Sequence, residues 1–145
     1  MNNASDLKRF IEAQEGSYTN ALNEIRAGRK RTHWMWFMFP QLIGLGFSET
    51  SKFYSITDVQ EAEAYLNDPI LGTRLFELCN ALLELPVRNA HQIFGSPDDL
   101  KLKSCMTLFA SLDRSPIFEA VLVKYFNGEE DPTTLRILSA FTHGA

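Results

Sequence analysis

Residues 68–83, DPILGTRLFELCNALL, carry the pattern that decides the fold. The apolar residues of this stretch recur at intervals of three and four, which places their side chains on one face of an α-helix. Asp68 and Pro69 precede the pattern. An aspartate oxygen can accept hydrogen bonds from the unpaired amides of a first helical turn, and proline at that position loses no donor that the helix needs. The stretch therefore predicts a helix that begins near Pro69 and buries one face.

The same start signal occurs three more times, because four of the six prolines directly follow a serine or an aspartate. The other pairs are Ser96-Pro97, Ser115-Pro116 and Asp131-Pro132. Apolar residues with helical spacing also follow Ser5, Ser17 and Thr57. We therefore expect an all-α fold, a compact single-domain array of about six or seven helices over residues 1–145, with at most minor β structure.

One segment, Trp34 to Phe39, does not show this periodicity. Its six consecutive apolar residues, WMWFMF, suit either a buried strand or a buried helix, and spacing alone does not distinguish the two. Pro40, Gly44 and Gly46 follow and favour irregular backbone. The sequence leaves the strand or helix state of this segment open.

The composition is that of a globular protein that folds around one core. Hydrophobic residues make up 45% of the 145 residues and charged residues 22%. The net charge of −4 argues against an electrostatic grip on nucleic acid by the whole domain. No apolar stretch has the length of a membrane span, and the first residues lack the pattern of a signal peptide, so we expect a cytoplasmic protein of bacterial type.

The two cysteines, Cys79 and Cys105, lie inside apolar helical patterns and show no spacing typical of metal ligands. We expect both to be buried, reduced thiols. The sequence also lacks phosphate-binding loops, dinucleotide fingerprints and zinc motifs. No metal and no cofactor is therefore predicted.

Four blocks of the sequence resemble a known bacterial family. They are AGRKRTHWMWFMFPQLIGLG, YLNDPILGTRL, IFGSPDDLKLKSCMTLFA and KYFNGEEDPTTLRIL. Over residues 6–138 the chain is similar to the family catalogued as domain of unknown function 1810, whose members are often labelled calpastatin. The resemblance implies an all-helical fold and supplies no established reaction. The calpastatin label does not fit these residues, because such an inhibitor is a long disordered chain with repeated short motifs.

The first candidate site is a basic run that directly precedes aromatic residues. The ligand-binding candidates here are Arg29, Lys30, Arg31, His33, Trp34 and Trp36. Arginine and lysine side chains can hold phosphates, while an indole can stack on a nucleobase. The alternative is that the cations solvate a helix end and the indoles belong to the core.

The second candidate site is the helix start that contains Asp98 and Asp99. One of these acids could act as a general base, and Lys101 and Lys103 are candidate ligand-binding cations. Adjacent residues on a helix point in different directions, so at most one aspartate would be the base. The alternative is that both acids interact with the helix dipole and pair with surface lysines.

We expect the two blocks to meet in one cavity, although nearly half of the chain separates them. Both place charged residues directly against dense apolar ones, and such conflicts of local rules tend to occur at functional sites. The hypothesis is a protein that binds or hydrolyses a small nucleotide-like ligand derived from ADP-ribose or NAD.

A second resemblance points the same way. FGSPDDLKLKSCMTLF is similar to a block of the helical NADAR family of ADP-ribose and N-glycoside enzymes, with Phe94 in place of a tryptophan and Pro97 in place of a glycine. The alternative is a non-enzymatic protein–protein interaction module with an unidentified partner. Whether the protein is an enzyme stays open.

Overall fold

A computed structural model of the chain describes residues 3–143, which form ten α-helices and no sheet. The helices are α1 Asn3–Glu15, α2 Tyr18–Arg26, α3 Met35–Met38, α4 Glu49–Phe53, α5 Val59–Asn67, α6 Leu71–Glu84, α7 Ala90–Phe94, α8 Asp98–Ala110, α9 Ile117–Phe126 and α10 Pro132–His143. The all-α prediction is confirmed, whereas the expected number of six or seven helices was too low.

The additional helices are the short ones, α3, α4 and α7, which have four or five residues each. Helices of this length span little more than one turn, so no periodic pattern can build up in the sequence. The ambiguous segment Trp34 to Phe39 is helical at its centre. Within the described residues, β structure is confined to one isolated parallel bridge between Leu42 and Ile56.

Four helices begin within two residues of the prolines that mark them, as predicted. These are α6, α8, α9 and α10. At α6, Asp68 Oδ1 accepts hydrogen bonds from the amides of Ile70 and Leu71, both at 2.9 Å. At α10, Asp131 Oδ2 accepts a bond from the amide of Thr134 at 3.0 Å. The aspartate oxygens therefore satisfy the first-turn amides that a helix leaves unpaired.

The start of α8 is built differently from the prediction. Pro97 occupies the N-cap position and no side chain caps this helix, so the expected role of Ser96 was wrong. Backbone carbonyls take its place: the amide of Asp99 donates to the Gly95 oxygen at 2.9 Å, and the amide of Leu100 donates to the Pro97 oxygen at 3.0 Å. The amides of Asp99 and Leu100 are therefore satisfied without a serine cap.

Helix α8 lies at the centre of the molecule and packs against α7, α9 and α10. Its residues Leu102, Cys105 and Phe109 are fully buried. Helix α6 packs against α2, α5 and α9, and α1 packs against α3 and α5. One continuous hydrophobic core joins these helices, and the start of α8 lies at its edge beside α3.

Cys79 and Cys105 are free and buried, as predicted. Burial raises the pKa of both thiols, because a thiolate is disfavoured in an apolar surrounding. Between residues 3 and 143, no helix combines the length and the apolar character that crossing a bilayer requires.

Candidate functional site

The basic run and the start of α8 are in direct contact. Lys30 Nζ lies 3.0 Å from Asp98 Oδ2, and Lys101 Nζ lies 3.1 Å from Asp98 Oδ1. The backbone amide of Lys30 also donates to the carbonyl oxygen of Ile93 in α7 at 2.7 Å. Asp98 therefore bridges two lysines from distant parts of the sequence.

Glu24, on α2, accepts hydrogen bonds from the segment Arg31 to Trp34. Its carboxylate accepts bonds from the amides of Arg31 and Thr32 at 2.8 and 3.1 Å, from Thr32 Oγ1 at 2.7 Å and from Trp34 Nε1 at 2.8 Å. Burial alone raises the pKa of Glu24, but these hydrogen bonds outweigh it and lower the pKa to about 2. Sequence reasoning missed Glu24, because nothing in the sequence separates it from the solvated residues of α2.

The two tryptophans have different surroundings. Trp34 is 1% exposed, and its ring meets the edge of Phe94 at a centroid distance of 6.2 Å. Trp36 is half-buried, and Lys101 Nζ lies 3.7 Å from the centroid of its ring. The buried ring of Trp34 leaves no face for a ligand, so a stacking role can belong only to Trp36.

Trp36 borders a cavity of about 280 Å³ between α3, the following loop, α8 and the start of α10, which we call the Trp36 cleft. Its other lining residues are Gln41, Leu45, Gly46, Pro97, Leu100, Lys101, Ser104, Asp131 and Thr133. Gly46 is required here because a Cβ at this position would lie 2.6 Å from the Cβ of Ser51 and 3.7 Å from the Trp36 ring. The cleft therefore combines one aromatic plane, one ammonium group and several polar groups.

The polar floor of the Trp36 cleft is held by Asp131. Its Oδ2 accepts a hydrogen bond from Ser104 Oγ at 3.1 Å, and its backbone amide donates to Thr107 Oγ1 at 2.9 Å. These contacts join the start of α10 to α8. Sequence reasoning did not place Ser104 or Asp131 at the site, although the three-residue spacing of Ser104 and Thr107 in the otherwise apolar second half of α8 was the available signal.

The remaining predicted residues lie outside this lining. Arg29, Arg31 and His33 are exposed. Lys103 Nζ lies 3.5 Å from Glu129 Oε1. Of the predicted cations, Lys30 and Lys101 therefore lie together on Asp98, whereas the arginines are exposed and Lys103 contacts Glu129.

The predicted catalytic acids are both engaged. Each oxygen of Asp98 contacts a lysine, and Asp99 Oδ2 lies 3.5 Å from Nδ1 of the exposed His91. Across the described part of the chain, no three His, Cys, Asp or Glu side chains are grouped so as to hold a metal ion. The arrangement provides cations and an aromatic surface, and Asp98 is the carboxylate that contacts both Lys30 and Lys101.

A larger cavity of about 550 Å³ lies between the α8–α9 turn and residues 128–130. It contains none of the predicted residues. Asp113, Glu119 and Glu130 line it, and its single cation, Arg114, is paired with Glu63. Because its lining is acidic and holds no aromatic ring, it suits an anionic ligand less well than the smaller Trp36 cleft.

A family model described as "Protein of unknown function (DUF1810)" matches residues 4–138. The chain therefore belongs to the DUF1810 family, as its sequence blocks predicted. Its fold is similar to the crystal structure of the conserved hypothetical protein Rv1873 from Mycobacterium tuberculosis. The two are 50% identical with a TM-score of 0.90, over 92% of this chain and 96% of that chain. No curated protein matches the chain.

Proposed function

We propose that the Trp36 cleft binds a small nucleotide-like ligand, with the base against the Trp36 indole and a phosphate beside Lys101. One observation carries the proposal. Trp36 and Lys101, which come from the two candidate blocks of the sequence, line one cavity with the ammonium 3.7 Å from the centroid of the indole ring. An aromatic ring and a cation in the lining of one cavity are the two groups that a base and its phosphate require.

The other groups of the cleft suit the remaining parts of such a ligand. Gln41, Ser104 and Thr133 carry side-chain donors and acceptors that match sugar hydroxyls. Lys30, joined to Lys101 through Asp98, adds positive charge next to the cavity. Pockets for small molecules usually have about 300–1,000 Å³. The observed volume of about 280 Å³ therefore favours a mononucleotide over a fully enclosed dinucleotide.

We propose binding and assign no reaction to the cleft. A general base needs a free acceptor within reach of the proton that it removes. Asp98 uses both oxygens in ion pairs, and Asp99 is directed at His91. Neither acid is among the residues that line the cleft, so the hydrolytic role that the sequence suggested for them stays a prediction.

Isothermal titration calorimetry with AMP tests the proposal. We expect AMP to bind the wild type, and Trp36→Leu to weaken binding by roughly 5- to 150-fold, because stacking of one base on an aromatic side chain contributes about 1–3 kcal/mol. Lys8→Ala serves as the control, since Lys8 is an exposed lysine on α1 outside the cleft. Equal AMP affinity in the wild type and Trp36→Leu would contradict the proposal.

A second candidate, the interaction module, is favoured by the apolar rim of the cleft. Leu100 is 58% exposed, and Phe47, two residues after the cleft residue Leu45, is 86% exposed. Exposed apolar side chains near a groove are typical of protein-binding surfaces. If AMP, ADP, ADP-ribose and NAD all fail to raise the melting temperature, this alternative replaces the ligand site.

A further inference from the structure

The ammonium of Lys101 lies where a ligand ring would have to stack. Its Nζ is 3.7 Å from the centroid of the Trp36 ring, while Asp98 Oδ1 holds the same atom at 3.1 Å. Lys101 and Trp36 both line the cleft, and the Lys101 side chain is 18% exposed. The cation therefore covers one face of the indole, and both groups belong to the lining of the cavity.

We infer that Lys101 is a specificity-determining residue that blocks the Trp36 face until a negatively charged ligand draws its ammonium away. This inference rests on the proposed function of the cleft and adds a selection rule to it. A cation over an indole is attracted by the ring quadrupole, so the contact must be given up before a flat group can stack. The long, flexible stem of lysine permits this movement without a change in the backbone.

The chemistry of the ligand decides whether the exchange is favourable. A nucleotide offers a phosphate that receives the displaced ammonium in a charge-assisted hydrogen bond. A nucleoside has the same ring and no anion. It would displace the ammonium from the indole without providing a new ionic contact for it. The cleft therefore selects aromatic groups that carry a nearby negative charge and rejects neutral ones of the same shape.

Asp98 makes this exchange possible. It contacts Lys30 through one oxygen and Lys101 through the other, so Asp98 keeps a cationic partner when Lys101 turns toward a phosphate. A buried or half-buried carboxylate left alone would oppose the movement. Asp98 and Lys30 act here as positioning residues.

Paired titrations with AMP and adenosine test the inference. We expect the wild type to bind AMP at least about tenfold more tightly than adenosine, a difference that falls at high salt because ion pairs are screened. In Lys101→Ala we expect AMP to bind more weakly and adenosine to bind more tightly than in the wild type, so that the two affinities converge. Lys101→Gln, which keeps most of the side-chain length and removes the charge, should shift adenosine in the same direction. Lys8→Ala should reproduce the wild-type values.

Different outcomes separate this inference from the proposed function. If AMP binds the wild type and Lys101→Ala weakens AMP while leaving adenosine unchanged or weaker, Lys101 is a simple phosphate ligand and the blocking role is wrong. If neither AMP nor adenosine binds the wild type or either Lys101 variant, the proposed function itself fails and the inference fails with it.

Discussion

At the scale of single residues, the hydrogen bond from Trp34 to Glu24 shows that Trp34 has a structural role, whereas Trp36 lines the cleft. Glu24 accepts a hydrogen bond from the indole N–H of Trp34, whose side chain is 1% exposed. It also accepts hydrogen bonds from the backbone amides of Arg31 and Thr32. An indole N–H buried without a partner would cost about 1–3 kcal/mol. Glu24 thus allows Trp34 to enter the core, while Trp36 stays at the surface.

Glu24→Gln should make the free energy of unfolding less dependent on pH in the acid range. The folded-state pKa of Glu24, about 2, lies below its usual value of 4.5. Its contribution to stability is therefore fully present above the usual value and is lost as the pH falls from there toward 2. Urea unfolding at a series of pH values should show the wild type as the more stable protein near neutrality, with the difference narrowing on acidification. A difference that stays constant down to the acid limit would contradict this account.

The sequence predicted that the two candidate blocks would meet, yet it could not select which residues of each block line the cleft. Trp34 and Trp36 differ by two positions, as do Lys101 and Lys103, and residues so spaced do not share a face of a helix. Which member of each pair faces the cleft depends on the helical state of α3 and on the rotation of α8. Only tertiary packing fixes both.

At the scale of elements, the long helices could be predicted and the short ones could not. Asp68 and Asp131 combine a capping oxygen with a following proline, so the physical cause of those helix starts is local and visible in the sequence. Helices α3, α4 and α7 depend on what packs against them, because one turn has too few hydrogen bonds to offset its nucleation cost. Local sequence patterns therefore predicted the long helices. They did not predict the short helices, including α3, which forms part of the cleft wall.

Gly72→Ala should destabilise the contact between α5 and α6. A Cβ at Gly72 would lie 2.2 Å from the backbone oxygen of Leu66, and a backbone atom cannot move aside without shifting a helix. We expect a loss of about 1–3 kcal/mol, the usual cost of overpacking, measured as a lower midpoint of urea unfolding. Gly16→Ala is the matched control, because nothing lies within 4 Å of its added Cβ. Equal midpoints for the two variants would show that α5 and α6 separate easily.

At the scale of the whole molecule, α8 joins the core to the cleft. Its middle carries Cys105, Met106 and Phe109 into the interior, while its first turns present Asp98 and Lys101 to the candidate site. The cleft wall is thus continuous with the buried core of the fold. A rigid support of this kind fixes the backbone positions from which the binding side chains extend.

The thiols of Cys79 and Cys105 should react with a thiol reagent only when the whole molecule unfolds. Both are fully buried with a raised pKa, and Cys79 Sγ lies 3.8 Å from Met106 Sδ at the centre of the core. Labelling rates measured over increasing urea should follow the equilibrium population of the unfolded state. Rapid labelling of either thiol without denaturant would reveal a local opening around α6 or α8.

The short parallel bridge ties the loop side of the Trp36 cleft to the segment before α5. The amide of Ile43 donates to the carbonyl of Ile56, and the amide of Ile56 donates to the carbonyl of Gln41, both at 2.8 Å. These two amides are bonded outside any helix, so their hydrogen–deuterium exchange reports the opening of this wall separately from the unfolding of the bundle. The bridge therefore provides two backbone amides, those of Ile43 and Ile56, whose exchange rates report on the wall of the Trp36 cleft.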